Sequence, residues 1–89
     1  MRRSVQDAIT RLDAARTRVH LLDTSVLPHV EHAFEVARVS YASNRGDFAS
    51  LLDAERLLLS TRMDLVTAQA DQARALADLQ MAIGDIPEN

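Results

Sequence analysis

The stretch Tyr41-Ala42-Ser43-Asn44-Arg45-Gly46-Asp47-Phe48 decides the fold, because it is the place where a long helix has to stop. Asn and Gly tolerate the left-handed backbone that ends a helix, and Asp is a favoured N-cap for the next one. The segment therefore predicts the turn of a helical hairpin at residues 43–47, with a long helix on each side.

The composition supports long helices on both sides of this turn. Of the 89 residues, 47% are apolar, and only two Gly and two Pro interrupt them. This profile is typical of an all-α chain and leaves no serious β alternative. Because only three residues are aromatic and a compact core is marginal at this length, we expect burial against other chains.

Charge and cysteine content exclude several classes of protein. The net charge is −3, and the ten basic residues, all Arg, are interspersed with thirteen acidic ones. Without a sustained basic stripe, nucleic acid is not an expected partner. The absence of cysteine excludes disulfides and Cys-zinc sites. The sequence shows neither a signal peptide nor a membrane span.

The first helix is expected over about residues 4–43 and carries a heptad seam. Ser4 and Asp7 have the capping-box form that marks a helix start. Apolar residues then recur at heptad spacing, at Val5, Leu12, Val19, Val26 and Ala33 and three residues later at Ala8, Ala15, Leu22 and Val36. This spacing predicts a coiled coil whose seam continues without a slip from Val19 to Ala33.

A second heptad series lies one position round the first helix. It consists of Leu27, Phe34 and Tyr41, widened by Val30 and Ala37. Because a two-helix coil needs only one seam, the wider apolar arc predicts neighbours on two sides of this helix.

The second helix, over about residues 47–83, has an equally broad apolar face. Its heptad series comprise Leu51, Leu58, Leu65 and Leu79 and, one position round, Leu52, Leu59, Val66 and Ala73. A strip of small residues that would let another helix approach closely comprises Ala54, Thr61, Ala68, Ala75 and Ala82. Gly84 followed by Pro87 predicts the end of the helix.

Pro28 leaves two arrangements of the first half open. Inside a helix, proline removes one amide hydrogen bond and clashes with the preceding turn. Either the first helix is continuous and kinked near Pro28, or Ser25 caps a new helix in a three-helix bundle with breaks at 23–27 and 43–47. We favour the continuous kinked helix, because the first heptad series runs through the proline.

No enzyme chemistry is indicated. His29 and His32 have the i, i+3 spacing of two ligands on one helix, but no third ligand follows at a recognisable spacing, so we interpret them as surface residues. The sequence has no phosphate loop or nucleophile motif, and neither a cofactor nor a metal is expected. Three acid–arginine pairs at i, i+3 spacing are predicted to aid solvation and register: Glu35–Arg38, Asp53–Arg56 and Asp71–Arg74.

The turn is the best candidate for a functional site. Arg45 and Asp47 project at the end of the hairpin, and Tyr41 and Phe48 flank them. Alternatively, the two aromatic rings plug the last layer of the coil, a role that is compatible with docking. The predicted partner-docking tip comprises Tyr41, Asn44, Arg45, Gly46, Asp47 and Phe48.

Several segments match, in order, the pattern of a known transport family. They are Leu27-Pro28, Ala33, Tyr41 to Phe48, Leu51-Leu52-Asp53-Ala54-Glu55-Arg56 and Gly84. On these segments the chain resembles the second periplasmic hairpin of the TolC family of outer-membrane efflux proteins, and its heavy-metal-resistance branch most. That family's tip typically reads Tyr-x-x-Gly and later Leu-Leu-Asp-Ala-x-Arg. Here Asn44 replaces the usual glycine, and Gly46 is a second candidate for its left-handed role.

The resemblance implies a passive role in efflux. In that family, three chains assemble a long α-barrel through the periplasm, and the hairpin tips form the entrance that meets the adaptor protein of a tripartite pump. The chain would then belong to the periplasm and outer membrane. The family's barrel strands, first hairpin and signal sequence are missing from the sequence, so the resemblance implies a fragment of a larger channel protein. Contact with the membrane would be made only by those missing parts.

A free-standing helical hairpin that acts as a protein-interaction module is the alternative from another class. It would be similar in size to the small secreted WXG-type hairpins, although the chain contains no Trp. For the isolated hairpin we expect self-association, most simply as a homodimer that forms a four-helix bundle.

Overall fold

The computed structural model describes residues 2–84 as a hairpin of two long antiparallel helical rods. The first rod comprises α1 (Arg2–Leu21), a π-helical segment (Leu22–Val26) and α2 (Leu27–Ala42), and the second rod is α3 (Phe48–Gly84). The molecule measures 71 × 15 × 13 Å along its principal axes. The predicted all-α hairpin is therefore confirmed.

The first rod is continuous and kinked near Pro28, as favoured from the sequence, and the three-helix bundle is not formed. Its helix begins at Arg2, two residues before the predicted start. Ser4 therefore lies inside the first turn and does not cap it. At the far end α3 includes Gly84, while the predicted stop at Pro87 lies outside the described residues.

One seam of buried and half-buried side chains joins the two rods. Along α1 and into the first residue of the π-helical segment, it alternates steps of three and four residues, through Val5, Ala8, Leu12, Ala15, Val19 and Leu22. Along α2 the same alternation passes through Leu27, Val30, Phe34 and Ala37. From Leu22 to Leu27 the step is five residues instead of four. The seam therefore slips by one position at the π-helical segment.

This slip corrects the prediction that one heptad phase runs through the proline. Val26, Ala33 and Val36 continue the phase of α1, yet all three are exposed. The second apolar series takes over from the first along the rod, and the two together form a single seam. Val26, Ala33 and Val36 remain exposed beside this seam, so neighbours on two sides of the first helix stay a prediction.

The side chains of α2 explain why the slip is favourable. A regular continuation of the α1 phase would place His29 and Ala33 in the seam, where the observed phase places Val30 and Phe34. Burying valine and phenylalanine removes more apolar surface from water, and it avoids burying an unpaired imidazole. This gain offsets the cost of one distorted helical turn.

The π-helical segment absorbs the extra residue. The N–H of Leu27 donates to the carbonyl of Leu22, five residues back instead of four. A π-turn of this kind adds one residue to an α-helix without interrupting it. Inside the segment, the hydroxyl of Thr24 donates to the carbonyl of His20 at 2.6 Å. Pro28 is the second residue of α2, and because the rod continues through it, its missing N–H leaves one backbone hydrogen bond of the helix unmade.

The second rod presents small residues to the seam. Thr61 is 4% exposed, and its hydroxyl donates to the carbonyl of Leu57 at 2.8 Å, so its burial leaves no unpaired hydroxyl. Ala68 on α3 and Ala8 on α1 are each 1% exposed. The predicted small-residue strip therefore faces the first helix and allows the two backbones to approach closely.

The core between the rods is thin. The buried apolar side chains of the described residues are Ala8, Leu12, Val30, Leu58 and Ala68. The chain exposes 6741 Å², whereas a compact protein of 9.9 kDa exposes about 5,200 Å². Two exposed ion pairs bridge the rods, Arg18–Asp71 at 3.7 Å and Glu31–Arg62 at 3.8 Å. Such pairs contribute little, so one layer of side chains holds the hairpin together.

Deleting the extra residue tests the assigned slip. Deletion of Ser25 in a Pro28→Ala background should give an uninterrupted α-helix in which both halves of the seam share one heptad phase. Ser25 is exposed and the seam contacts are kept, so we expect a thermal midpoint equal to or above that of Pro28→Ala alone. Far-ultraviolet circular dichroism measures both helicity and midpoint.

Deletion of Arg16 in the same background is the matched control. Arg16 is also exposed, but its deletion turns Val19 and Leu22 away from α3 if the π-turn straightens, and the upstream seam residues Val5, Ala8, Leu12 and Ala15 if the π-turn is kept. The lost burial should lower stability by roughly 1.5 kcal/mol for each large aliphatic side chain. Equal midpoints for the two deletions would contradict the slip.

Candidate functional site

Backbone hydrogen bonds end α2 and close the hairpin turn. The N–H groups of Asn44 and Arg45 donate to the carbonyls of Tyr41 and Ser40, at 3.1 and 2.8 Å respectively. This pairing is a Schellman motif, which satisfies the last carbonyls of a helix and requires one left-handed residue. Asn44 adopts that conformation, with φ of 59°. The prediction of a left-handed backbone at Asn44 is confirmed.

Gly46 does not share this left-handed role, which corrects the prediction. Among the described residues, Asn44 alone has a positive φ. The N–H of Gly46 donates to the carbonyl of Ser40 at 3.0 Å. A Cβ at position 46 would lie 3.1 Å from the Ser40 Cβ, tighter than ordinary contact. A side chain at position 46 would therefore displace Ser40 by a few tenths of an ångström, and glycine allows the turn to approach α2 without that shift.

Asp47 caps the first turn of α3, as predicted. Its Oδ1 accepts a hydrogen bond from the N–H of Ser50 at 2.9 Å. Hydrogen bonding to the side chain and to the backbone of Ser50 holds the pKa of the Asp47 carboxyl below its ordinary value. The carboxylate also lies at the positive end of the helix dipole. One of the two tip charges therefore has a structural role.

Tyr41 and Phe48 contact each other across the turn but do not plug the coil. Their ring centroids are 5.9 Å apart and their planes are inclined by 58°. Tyr41 remains 44% exposed and Phe48 58% exposed. The half-buried Ser40 lies in the last layer of the seam. The two rings therefore form an exposed apolar patch beside the turn.

The tip thus places a cation next to this aromatic pair. Arg45 is exposed, and no carboxylate of the described residues forms an ion pair with it. A guanidinium donates well to carboxylates, and exposed rings add apolar contact area. The arrangement suits a protein partner that offers an acidic group beside an apolar surface.

The two candidate metal ligands stay on the exposed surface of α2. His29 and His32 are both exposed. Within residues 2–84, no group of three or more His, Cys, Asp or Glu side chains could hold a metal ion. Over the same residues, no helix combines the length and the apolar character needed to cross a membrane.

Two of the three predicted i, i+3 ion pairs form on the exposed surface. They are Glu35–Arg38 and Asp71–Arg74. Hydrogen bonding to Arg38 lowers the pKa of Glu35. The third predicted pair is not formed, since no ion pair in the described part of the chain joins Asp53 to Arg56. Asp53 is therefore available to an arginine from outside the helix.

A second apolar surface lies on α3, on the face away from the first rod. We call it the outer stripe, and it comprises Leu52, Leu59, Met63, Val66, Ala70, Ala73 and Ala77. Leu59, Met63 and Val66 are 52%, 71% and 64% exposed. Heptad spacing predicts the series that starts at Leu52, but Met63 is not part of that series. Met63 belongs to a neighbouring heptad position, and only counting both positions together reveals the stripe.

In comparisons with known proteins, no family model matches this chain, and neither a curated protein nor a solved structure matches it significantly. A function is therefore inferred from the geometry of the tip and the outer stripe and from the resemblance of the tip segment.

Substitution of Asn44 tests the turn. Asn44→Ala should lower the free energy of unfolding by about 1 kcal/mol, because alanine adopts the left-handed conformation at a cost. Asn44→Gly should keep or slightly raise stability, since glycine has no such cost. Chemical denaturation measures the free energy of unfolding of both variants. An equal loss of stability in the two would contradict the role of the left-handed backbone at this position.

Asp47 should make stability depend on pH in the acid range. Because its pKa is lowered in the folded state, the carboxylate stabilises the hairpin above about pH 4, and this contribution is lost as the pH falls through the lowered pKa. Asp47→Asn keeps a capping oxygen but cannot titrate. The difference in thermal midpoint between parent and variant should therefore shrink on acidification, as measured by circular dichroism across this range.

Proposed function

We propose that this chain is a periplasmic hairpin of a trimeric outer-membrane efflux channel, in which it forms part of the channel wall and docks the adaptor protein of a tripartite pump. The docking tip consists of Tyr41, Asn44, Arg45, Gly46, Asp47 and Phe48. One observation carries this proposal. The segment that resembles the family's tip motif lies at the end of the hairpin, with the backbone N–H groups of residues 43–46 hydrogen-bonded and its side chains exposed.

Docking is supported because different residues of the tip hold the turn and face solvent. Asn44 and Asp47 hold the backbone of the turn. Tyr41, Arg45 and Phe48 are exposed and contribute no hydrogen bond to the turn through their side chains. Because the backbone of the turn is held without hydrogen bonds from these three side chains, their exposed surfaces can bind a partner.

The two apolar faces of α3 support a place in a channel wall. One face packs on the first rod through Leu58 and Ala68. The outer stripe lies on the opposite face and includes Leu59 and Val66. A helix in the wall of a barrel has a neighbour on each side, so it needs two such faces. In this role the hairpin is passive, and a pump would supply the energy and select the exported substrate, such as a heavy-metal ion.

A free-standing hairpin that acts as an interaction module is the second candidate. The thin core and the exposed outer stripe favour it, because a second copy of the chain would cover the stripe without any barrel. A homodimer of hairpins would form a four-helix arrangement. Localisation would then follow the partner and not an outer-membrane channel.

Photo-crosslinking distinguishes the two candidates. The chain, with a photoreactive phenylalanine analogue in place of Phe48, is mixed with a purified adaptor protein of a tripartite metal-efflux pump and irradiated. We expect a covalent adduct with the adaptor, identified by mass spectrometry. Arg45→Ala with Asp47→Asn should leave helicity unchanged and weaken adaptor binding at least about tenfold, since a charged contact is lost.

The same analogue in place of Ile9 is the matched control. Ile9 is 44% exposed and lies near the opposite end of the hairpin. The adduct should be absent there. If position 48 crosslinks only to other copies of the chain, or if both positions crosslink equally to the adaptor, the docking assignment is wrong.

A further inference from the structure

We propose that the outer stripe of α3 is a self-association surface that takes a second copy of α3 in antiparallel orientation. The proposal goes beyond the docking tip and does not depend on it. It concerns the free chain, in which a two-fold pair of hairpins would place their tips at opposite ends. A channel wall, by contrast, would require all tips to point the same way.

The outer stripe has the spacing of a second coiled-coil seam. Its residues recur at alternating steps of three and four from Leu52 to Ala77, with Arg56 as the single polar interruption. On a helix of 3.6 residues per turn, the centre of this stripe lies about 150° from the centre of the seam that holds the first rod. A second helix therefore fits on this face without contact to the first rod of the same chain.

The sizes of the stripe residues decide the orientation of the second copy. The half near the tip is bulky, with Leu52, Leu59 and Met63, and the far half consists of alanines. Parallel copies would set bulky residues against each other at one end and alanine against alanine at the other. Antiparallel copies give layers of even width, in which Leu52 meets Ala77, Leu59 meets Ala70 and Met63 meets Val66.

The charges that flank the stripe favour the same orientation. In the antiparallel register, Asp53 of each copy lies opposite Arg74 of the other, so the interface gains two equivalent ion pairs. Asp53 forms no ion pair within the described residues, and Arg74 pairs only with Asp71 on its own exposed helix surface. A parallel pair would set no opposite charges across the stripe, because Arg74 would then face Gln69.

Arg56 is compatible with the antiparallel register. The layer that contains it would place Ala73 of the other copy opposite, and alanine leaves room for the aliphatic stem of arginine. The guanidinium would then reach solvent at the edge of the interface, as long basic side chains commonly do.

Paired cysteine variants test the orientation directly, since the chain has no cysteine of its own. Leu59→Cys and Ala70→Cys are made in two separate chains, one of which carries a mass tag. In the antiparallel pair, positions 59 and 70 face each other, so only the mixture should form a disulfide on mild oxidation. Two copies of position 59 would lie about 16 Å apart along the axis, beyond the reach of a disulfide.

Charge reversal gives an independent measurement. Asp53→Arg should raise the dimer dissociation constant, measured by sedimentation equilibrium, about three- to tenfold. In each of the two equivalent contacts, an arginine at position 53 would then face Arg74 of the other copy. Asp53→Arg with Arg74→Asp should restore the parent value to within about threefold. Circular dichroism of each variant shows whether the hairpin itself still forms.

Three results would overturn the proposal. The first is a chain that stays monomeric at tens of micromolar. The second is a homodisulfide from either cysteine variant alone, which indicates parallel copies. The third is a dimer in which the mixed disulfide is absent and charge reversal has no effect, which places the interface elsewhere. None of these results depends on adaptor binding, so they are separate from the test of the docking tip.

Discussion

The close approach of two antiparallel helices along one seam is the constraint on which the rest of the structure depends. Small residues such as Ala8 and Ala68 are almost fully buried and keep the two backbones near each other. Such a seam tolerates no error of phase, since one extra residue turns every later side chain by about 100°. The π-helical segment Leu22–Val26 absorbs that residue and keeps both halves of the first rod in contact with α3.

A two-helix hairpin buries one face of each helix and leaves the others in water. This geometry explains why the chain exposes more surface than a compact protein of its mass and why no large side chain of the described residues is completely buried. The outer stripe on α3 follows from the same geometry. Any function of the chain therefore has to use its outer surfaces, either to build a wall or to pair with another chain.

The turn combines stability with free side chains. Its backbone groups are satisfied by the Schellman motif at Asn44, and Asp47 caps the following helix. Gly46 permits the close contact with Ser40. Because these local interactions suffice to close the hairpin, Arg45 and the aromatic pair remain on the surface at its end. Because this segment resembles an efflux-channel tip, we propose that Arg45 and the aromatic pair dock an adaptor protein.

The sequence by itself determined the two helices, the turn between them, the left-handed Asn44 and the cap at Asp47, because these depend on the chemistry of neighbouring residues. The tertiary structure alone decided the phase of α2. Val26 and Leu27 belong to two different apolar series at heptad spacing, and only packing against α3 selects the one that buries Val30 and Phe34. Likewise, local sequence could not tell whether Tyr41 would fill the last layer of the coil, since that depends on how closely the rods meet at the turn.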